Sequence, residues 1–318
     1  MPWLDLLILK NPILRLLDKL GIMSFTFPVV TFAKKHMNER LAEMQQRKEK
    51  GKGDDTFTDR RGDLLSMFLK AKADHPDFMT DARVLTLAVS MAFAGSETTA
   101  ISLAAVFYYL LKNPRCYEKL LEEIVGAVKD GTIENRSTGI VTWAESQKLP
   151  YLDACVKEAF RLHPAAGLTL ERIVPPQGAE ICGEHILGGT IVGCNAWVIH
   201  RRPEVFGDEV DVYRPERWLE AGPDQLKEMN GTMFHFGMGA RTCIGKNISL
   251  LEIYKLVPSF LRRFEVFALP WSIGILATKF CHQVQLADPD EEWKLHNAWF
   301  VKQLTFRTTF TPRQITAG

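Results

Sequence analysis

The chain has 318 residues, of which 46% are hydrophobic and 24% charged, and its formal net charge is +1. That near balance leaves no global field to favour nucleic acid or an anionic surface, and the length allows one large domain or two ordinary ones. The six cysteines (Cys116, Cys155, Cys182, Cys194, Cys243 and Cys281) show no CxxC spacing, which argues against a zinc ribbon or a disulfide scaffold and for a reducing compartment.

Met1 to Val30 is apolar but broken by Asp5, Lys10, Pro12, Arg15, Asp18 and Lys19. It lacks the layout of a signal peptide. Two readings stand for it: a pair of partly buried core helices, or a segment with a membrane-surface or channel-lining role. No run of about 18 uninterrupted apolar residues exists, so no membrane span is expected. Pro28 to Arg47 reads as a helix and Gly51 to Asp55 as a solvated loop. Arg61 to Lys72 reads as a second helix with Leu64, Leu65, Phe68 and Leu69 on one face.

The longest element starts at a Thr80 cap and runs through Leu111, where Lys112-Asn113-Pro114 stops it. Its length, roughly 46 Å at about 1.5 Å per residue, and its apolar faces predict a buried central helix. The middle of the helix departs from this pattern: Ala94-Gly95-Ser96-Glu97-Thr98-Thr99 puts a carboxylate and hydroxyls where burial would cost free energy unless they are paired. Gly95 weakens the helix there by about 1 kcal/mol relative to alanine. Further on, Pro114 to Lys129 and Pro150 to Leu162 read as helices, with a short helical turn at Trp143 to Lys148. Segments at Leu168–Val174, Ala179–Ile186 and Thr190–Ile199 read as hairpin strands. Arg202 to Trp218 reads as irregular, and Leu219 to Met233 as a turn-rich connection. Ile244 to Phe264 reads as a helix, and Trp293 to Pro312 as β.

Phe236-Gly-Met-Gly-Ala-Arg-Thr-Cys-Ile-Gly245 presents one cysteine just before a helical run. A helix N-terminus favours a thiolate. Glycines let a backbone approach a flat ring, and Arg241 suits a carboxylate partner. A lone cysteine in this place is usually an inert buried thiol. The spacing F-x-x-G-x-R-x-C-x-G, however, arises by chance in roughly one chain per ten thousand of this length.

Phe236, Gly239, Arg241, Cys243 and Gly245 resemble the cysteine-loop signature of the cytochrome P450 family. Ala94–Thr99 resembles its oxygen-side motif, Glu158-Ala-Phe-Arg161 its E-x-x-R pair, and Pro215-Glu-Arg-Trp218 its P-E-R-F segment, all in family order. The N-terminal words look most like fungal members related to pisatin demethylase. The resemblance implies a mainly α fold with a small β region, as one domain over 1–318. It implies haem b with Cys243 as the axial iron ligand, and Phe236, Gly239 and Gly245 shaping the loop around it. Arg241 and Arg172 would stand at the propionates, with a surface arginine the other reading for Arg172. His235 lies close enough in sequence to join them, or to be a packing histidine.

Cleavage of O2 consumes protons, and Thr98 and Glu97 have the hydroxyl and the acid to supply them; the other reading is a back-bonding threonine and a snorkelling glutamate. Glu158, Arg161 and Arg217 would form a buried structural triad that fixes the loop leading to Cys243. His163 and His200 belong to no H-x-x-x-H or HExxH pattern, so non-haem metal is not expected. No GxGxxG follows a strand, so electrons would come from a separate NADPH-cytochrome P450 reductase, docking on the cysteine side beside residues such as Lys246. Phe93, Val89 and Ala166–Leu170 are candidates for lining the pocket, or for plain packing.

The implied activity is insertion of one oxygen atom from O2 into an apolar organic substrate, in fungal secondary metabolism at the cytosolic face of the endoplasmic reticulum. Met1 comes late in the family pattern, so the resemblance implies an N-terminally truncated chain without the membrane anchor, the early helices and the Trp/Arg haem clamp. Phe267 to Val284 departs from the family and reads as an insertion from an unspliced intron. The alternative function is a truncated, non-catalytic haem-binding or vestigial protein.

Overall fold

The computed structural model describes residues 28–49, 62–265, 285–286, 292–297, 299–303, 308–309 and 311–312. The fold is mainly α with a small β region. Its backbone divides into two compact units, the first ending at Ser96 and the second starting at Glu97.

The first unit holds α1 (Pro28–Glu49), α2 (Leu64–Asp74) and the opening half of α3 (Asp81–Lys112). Met37, Leu69, Met79 and Val84 form its core, with Leu41, Met44, Leu65 and Phe68 packed around them. Asp63 caps α2 by accepting from the Ser66 amide at 2.8 Å, and also receives Arg40 of α1 at 2.7 Å. Burial alone would raise the Asp63 pKa, but the bonds from Arg40 and Ser66 outweigh it and hold the carboxyl at about 2.

The second unit is built on α4 (Pro114–Lys129), α6 (Pro150–Leu162) and α11 (Lys246–Arg263), with the closing half of α3. Every residue of α6 from Tyr151 to Leu162 is buried except Asp153 and Lys157. Its apolar side chains, such as Leu152 and Val156, each contribute about 1.5–3 kcal/mol by burial. The short α5 (Trp143–Ser146) carries a full capping box between Thr142 and Glu145. Pro258 removes one backbone donor inside α11. Next to it the Ser259 hydroxyl donates to the Lys255 carbonyl (2.5 Å) and accepts from the Val141 amide (2.8 Å), pinning the segment that leads into α5.

The β region consists of two-stranded antiparallel pairs. β1 (Leu170–Ile173) pairs with β4 (Ile191–Cys194), Arg172 opposite Val192, and β2 (Ala179–Ile181) with β3 (Glu184–Ile186). After α7 (Ala196–Ile199), α8 (Pro203–Phe206), α9 (Arg217–Glu220) and α10 (Pro223–Thr232), the chain passes through α11 into β5 (Phe264–Glu265). β6 (Gln285–Leu286), β7 (Leu295–Asn297), β8 (Val301–Gln303), β9 (Thr308–Thr309) and β10 (Thr311–Pro312) follow, paired β10–β5, β6–β9 and β7–β8.

Several elements differ from the sequence expectation. The stretch around Ala196–Ile199 is helical, because Asn195 accepts from the Trp197 amide at 2.8 Å and starts a turn where a strand was expected. Leu219 to Met233 contains the ten-residue α10, started by Pro223 and held by Leu226 and Met229 against Trp218 and Phe206. Arg202 to Trp218 includes α8. In α3, burial is concentrated in the closing half, where Thr99, Ile101, Val106, Leu110 and Leu111 are buried; in the opening half Val84 is buried, while Leu87 and Phe93 are exposed. By length and composition α3 could also cross a membrane, but this closing half is packed in the core of the second unit. Met1–Phe27 and Phe267–Val284 lie outside the described residues.

Candidate haem-thiolate site

The loop from Phe234 to Gly245 is shaped by its own backbone. The Gly237 amide donates to the Phe234 carbonyl (2.9 Å), the Thr242 amide to Gly239 (3.1 Å), and the Cys243 amide to Phe236 (2.8 Å). Gly237 and Gly239 both have φ of +67°, a left-handed conformation that L side chains rarely adopt, so both positions call for glycine. The loop thus returns to its own start and leaves the Cys243 thiol exposed, three residues before α11. Ile244 beside it is 93% exposed and Met238 is 47% exposed. Arg241 is exposed and has no ion pair among the described residues. Phe236 lies partly buried against the core, with the Lys246 ammonium 5.8 Å from its ring centre. Of the other described cysteines, Cys116 and Cys155 are buried, and burial pushes both thiols up.

Behind this loop lies a buried ionic network. The Glu158 carboxylate accepts from Arg161 Nε and Nη2 (both 2.9 Å), Arg217 Nε (2.9 Å), the Arg214 amide (3.1 Å) and Trp218 Nε1 (2.9 Å). Glu158, Arg161 and Arg217 are all buried. The arginines spend their remaining donors on backbone carbonyls of His200, Phe206, Glu209, Val210 and Val212. This triad agrees with the sequence reading. The parts of Trp218 and Glu216 were not anticipated. Glu216 accepts from Arg115 (2.7 Å), Tyr151 (3.0 Å) and Lys119 (3.2 Å), so the whole Pro215–Trp218 segment is pinned.

On α3, the Thr99 hydroxyl is 3.2 Å from that of Ser249 in the opening turns of α11. Glu97 forms an ion pair with Lys302 of β8. The Ser102 hydroxyl donates to the Thr98 carbonyl at 3.0 Å. Thr98 is half-buried.

Leu170 of β1 comes within 3.6 Å of the position a side chain would take at Gly237, so β1 runs beside the cysteine loop. Arg172, two residues along, is exposed and donates to the Glu171 carbonyl at 2.7 Å. His235 stacks on Phe160 at 4.5 Å, with Phe236 also at 4.5 Å; its Nδ1 is buried without a partner. Burial and the nearby His200 and Lys246 push its pKa well down, so it is a neutral packing ring. Leu168 is exposed in the second unit, and Phe93 is exposed in the first.

Residues 2–273 match the family model described as Cytochrome P450. The chain belongs to the cytochrome P450 family. It is 43% identical over 306 residues to cytochrome P450 monooxygenase cicH of Emericella nidulans, an alignment covering 96% of this chain and 54% of the relative. Cytochrome P450 monooxygenase ACRTS1 of Alternaria alternata is 38% identical over 246 residues, 77% of this chain and 59% of the relative. Pisatin demethylase of Fusarium vanettenii is 39% identical over 222 residues, 70% of this chain and 37% of the relative. The chain spans about half the length of the curated relatives it matches.

The cofactor of a cytochrome P450 is a haem with thiolate ligation, and the loop fits such a group. A soft sulfur donor is exposed at Cys243, a cation without an ion pair stands two residues away, and the flanking Ile244 and Met238 side chains are exposed and apolar. No atom lies within 4 Å of the space a side chain would fill at Gly239, so that position stays open for a flat ring.

Proposed function

We propose that this cytochrome P450 chain carries the cysteine side of a haem-thiolate monooxygenase acting on an apolar organic substrate in fungal secondary metabolism. The observation that carries the reading is the exposed Cys243 thiol at the end of a loop closed by the Phe236 carbonyl and turned by two left-handed glycines. Cys243 is assigned as the iron ligand, and the start of the eighteen-residue α11 favours its thiolate form. Arg241 and Arg172 are assigned to the propionates, with Phe236, Gly239 and Gly245 framing the ring. When bound, a thiolate-ligated haem activates O2 for transfer of one oxygen atom, the other leaving as water. The Thr98 hydroxyl holds a proton or a water at the oxygen side, and Glu97 carries protons in from solvent. Lys302 pairs with the Glu97 carboxylate.

Electrons come from an NADPH-cytochrome P450 reductase docking on the cysteine side, where Lys246 is exposed. The protein works at the endoplasmic reticulum membrane. The family match runs across the boundary between the two units, so both are assigned to one cytochrome P450 domain.

The test is a carbon monoxide difference spectrum of the reduced, haem-reconstituted chain. The red-shifted Soret band of thiolate ligation is expected, and Cys243→Ala should abolish it. A band that persists in Cys243→Ala overturns the ligand assignment. A wild-type chain that retains no haem favours the second reading, a non-catalytic member of the family.

A further inference from the structure

His200 follows α7 directly and is fully buried. Both of its ring nitrogens are engaged. Nδ1 lies 3.1 Å from the Arg161 carbonyl oxygen, which can only accept, so Nδ1 carries the proton. Nε2 lies 2.7 Å from the Phe234 backbone nitrogen, which can only donate, so Nε2 is the bare acceptor. The neutral Nδ1–H tautomer satisfies both; the imidazolium satisfies only the first, and the Nε2–H tautomer satisfies neither. Burial, with the nearby Arg161 and Arg201 charges, lowers the His200 pKa to about 4, so the ring stays neutral over the ordinary range.

The same residue is tied to the Glu158 network twice. The Arg161 guanidinium donates back to the His200 carbonyl at 3.0 Å, and Arg161 is itself held by Glu158. Among the described residues, no hydrogen bond from Glu158, Arg161 or Arg217 reaches residues 234–245. His200 does reach them. From Phe234 the connection continues through the backbone: Gly237 N–H to the Phe234 carbonyl, then Cys243 N–H to the Phe236 carbonyl.

We infer that His200 is the positioning residue that couples the buried Glu158–Arg161 network to the cysteine loop, by holding the Phe234 amide through one fixed imidazole tautomer. Its functional consequence rests on the haem-thiolate reading; the hydrogen bond itself does not. The position differs from an ordinary core histidine because its acceptor is spent on the first amide of the loop that ends at Cys243. Phe234 is half-buried, so losing the acceptor costs its amide about an average hydrogen bond, and the loop has room to move because its far side is exposed.

Two neutral variants separate the two nitrogens. His200→Asn keeps a donor near the Nδ1 place and leaves the Phe234 amide without an acceptor. His200→Gln reaches the Nε2 place, where its amide oxygen can accept. In the chain without added haem, amide exchange at Phe234 should accelerate about tenfold or more in His200→Asn and stay within about threefold of wild type in His200→Gln. In the haem-loaded chain, His200→Asn should shift a large share of the carbon monoxide band from the thiolate to the thiol position, and His200→Gln should not, at matched melting temperatures.

Equal exchange in the two variants overturns the proposal. An exchange split with an unchanged band also overturns the positioning role and leaves the haem-thiolate reading intact. A wild-type chain without the band sinks that reading, and the exchange split then supports the link by itself. If neither variant folds, imidazole nitrogen NMR of the wild-type chain decides: a protonated Nδ1 and bare Nε2 support the proposal, and the reverse tautomer overturns it.

Discussion

Thr99 on α3 and Ser249 on α11 meet hydroxyl to hydroxyl at 3.2 Å across 150 residues of sequence. The contact joins the residue after Thr98 to the helix that begins three residues after Cys243. It therefore links the two halves of the candidate chemistry within the second unit. Thr99 is buried, so its hydroxyl has few alternatives to this partner.

Thr99→Val should cost about 1 kcal/mol, the typical net worth of such a bond. Ser249 is only half-buried and can turn to water, so Ser249→Ala should cost no more. Urea midpoints of the two single variants and the double variant measure the coupling. Strict additivity would show that the two hydroxyls do not interact.

Glu158 has the opposite character. Removing its charge leaves Arg161 and Arg217 buried without a counter-ion, which costs roughly 3–5 kcal/mol. That is a large share of the stability of an ordinary domain. Glu158→Ala should give little soluble protein, whereas removing the exposed Arg115 partner of Glu216 should cost less than about 1 kcal/mol. Soluble yield and thermal melting compare the two.

Acid should weaken the fold through its histidines. Burial lowers the pKa of His163 and of His200 to about 4, from an ordinary value of 6.5. Between those limits the unfolded chain binds more protons than the folded one. Stability is therefore full above pH 6.5 and is lost as the pH falls through 4, by roughly 3 kcal/mol for each ring when complete. Urea midpoints measured at about pH 7.5 and about pH 5 should differ in that direction, and His200→Gln should reduce the difference.

On the proposed proton role of the Thr98 hydroxyl, Thr98→Ala should lower product formation and raise hydrogen peroxide release for the same NADPH consumed. Unchanged coupling of NADPH to product would count against this role. Lys302→Met breaks a half-exposed ion pair with Glu97 and should change stability by less than about 1 kcal/mol, so any change in its coupling reads the proton path and not the fold.

Much of this was legible in the sequence because it depends on local spacing. Phe236, Gly237, Gly239 and Cys243 form a turn whose bonds close within ten residues, so the motif carries its own geometry. Glu158 and Arg161 sit one helical turn apart, and their pairing follows from that. What was not legible depends on distant partners. His200 stood alone in sequence and was weighed only as a metal ligand; its role appears when Phe234 and Arg161 are seen on either side of it. Trp218 reads only as the last residue of the P-E-R-F-like segment; that its indole donates to Glu158 depends on a partner 60 residues away. α10 escaped notice because its exposed face is polar and its buried face holds few apolar residues, chiefly Leu226 and Met229. The exposed face of α3 was not foreseen either, because an apolar helix carries no sign of which half will be covered.

The five bonds on Glu158 also bear on the order in which a ribosome delivers the chain. Two come from Arg161, which leaves the tunnel almost with it, but three come from Arg214, Arg217 and Trp218, the last 60 residues later. At synthesis rates of about 5–20 residues per second, this is a wait of roughly 3–12 s. During it the Glu158 carboxylate lacks three of its five hydrogen bonds, so burying α6 in its core would leave that charge under-compensated. The Pro215–Trp218 segment thus serves the nascent chain as a late latch, and pausing upstream of it would prolong the interval in which chaperones find α6 uncovered.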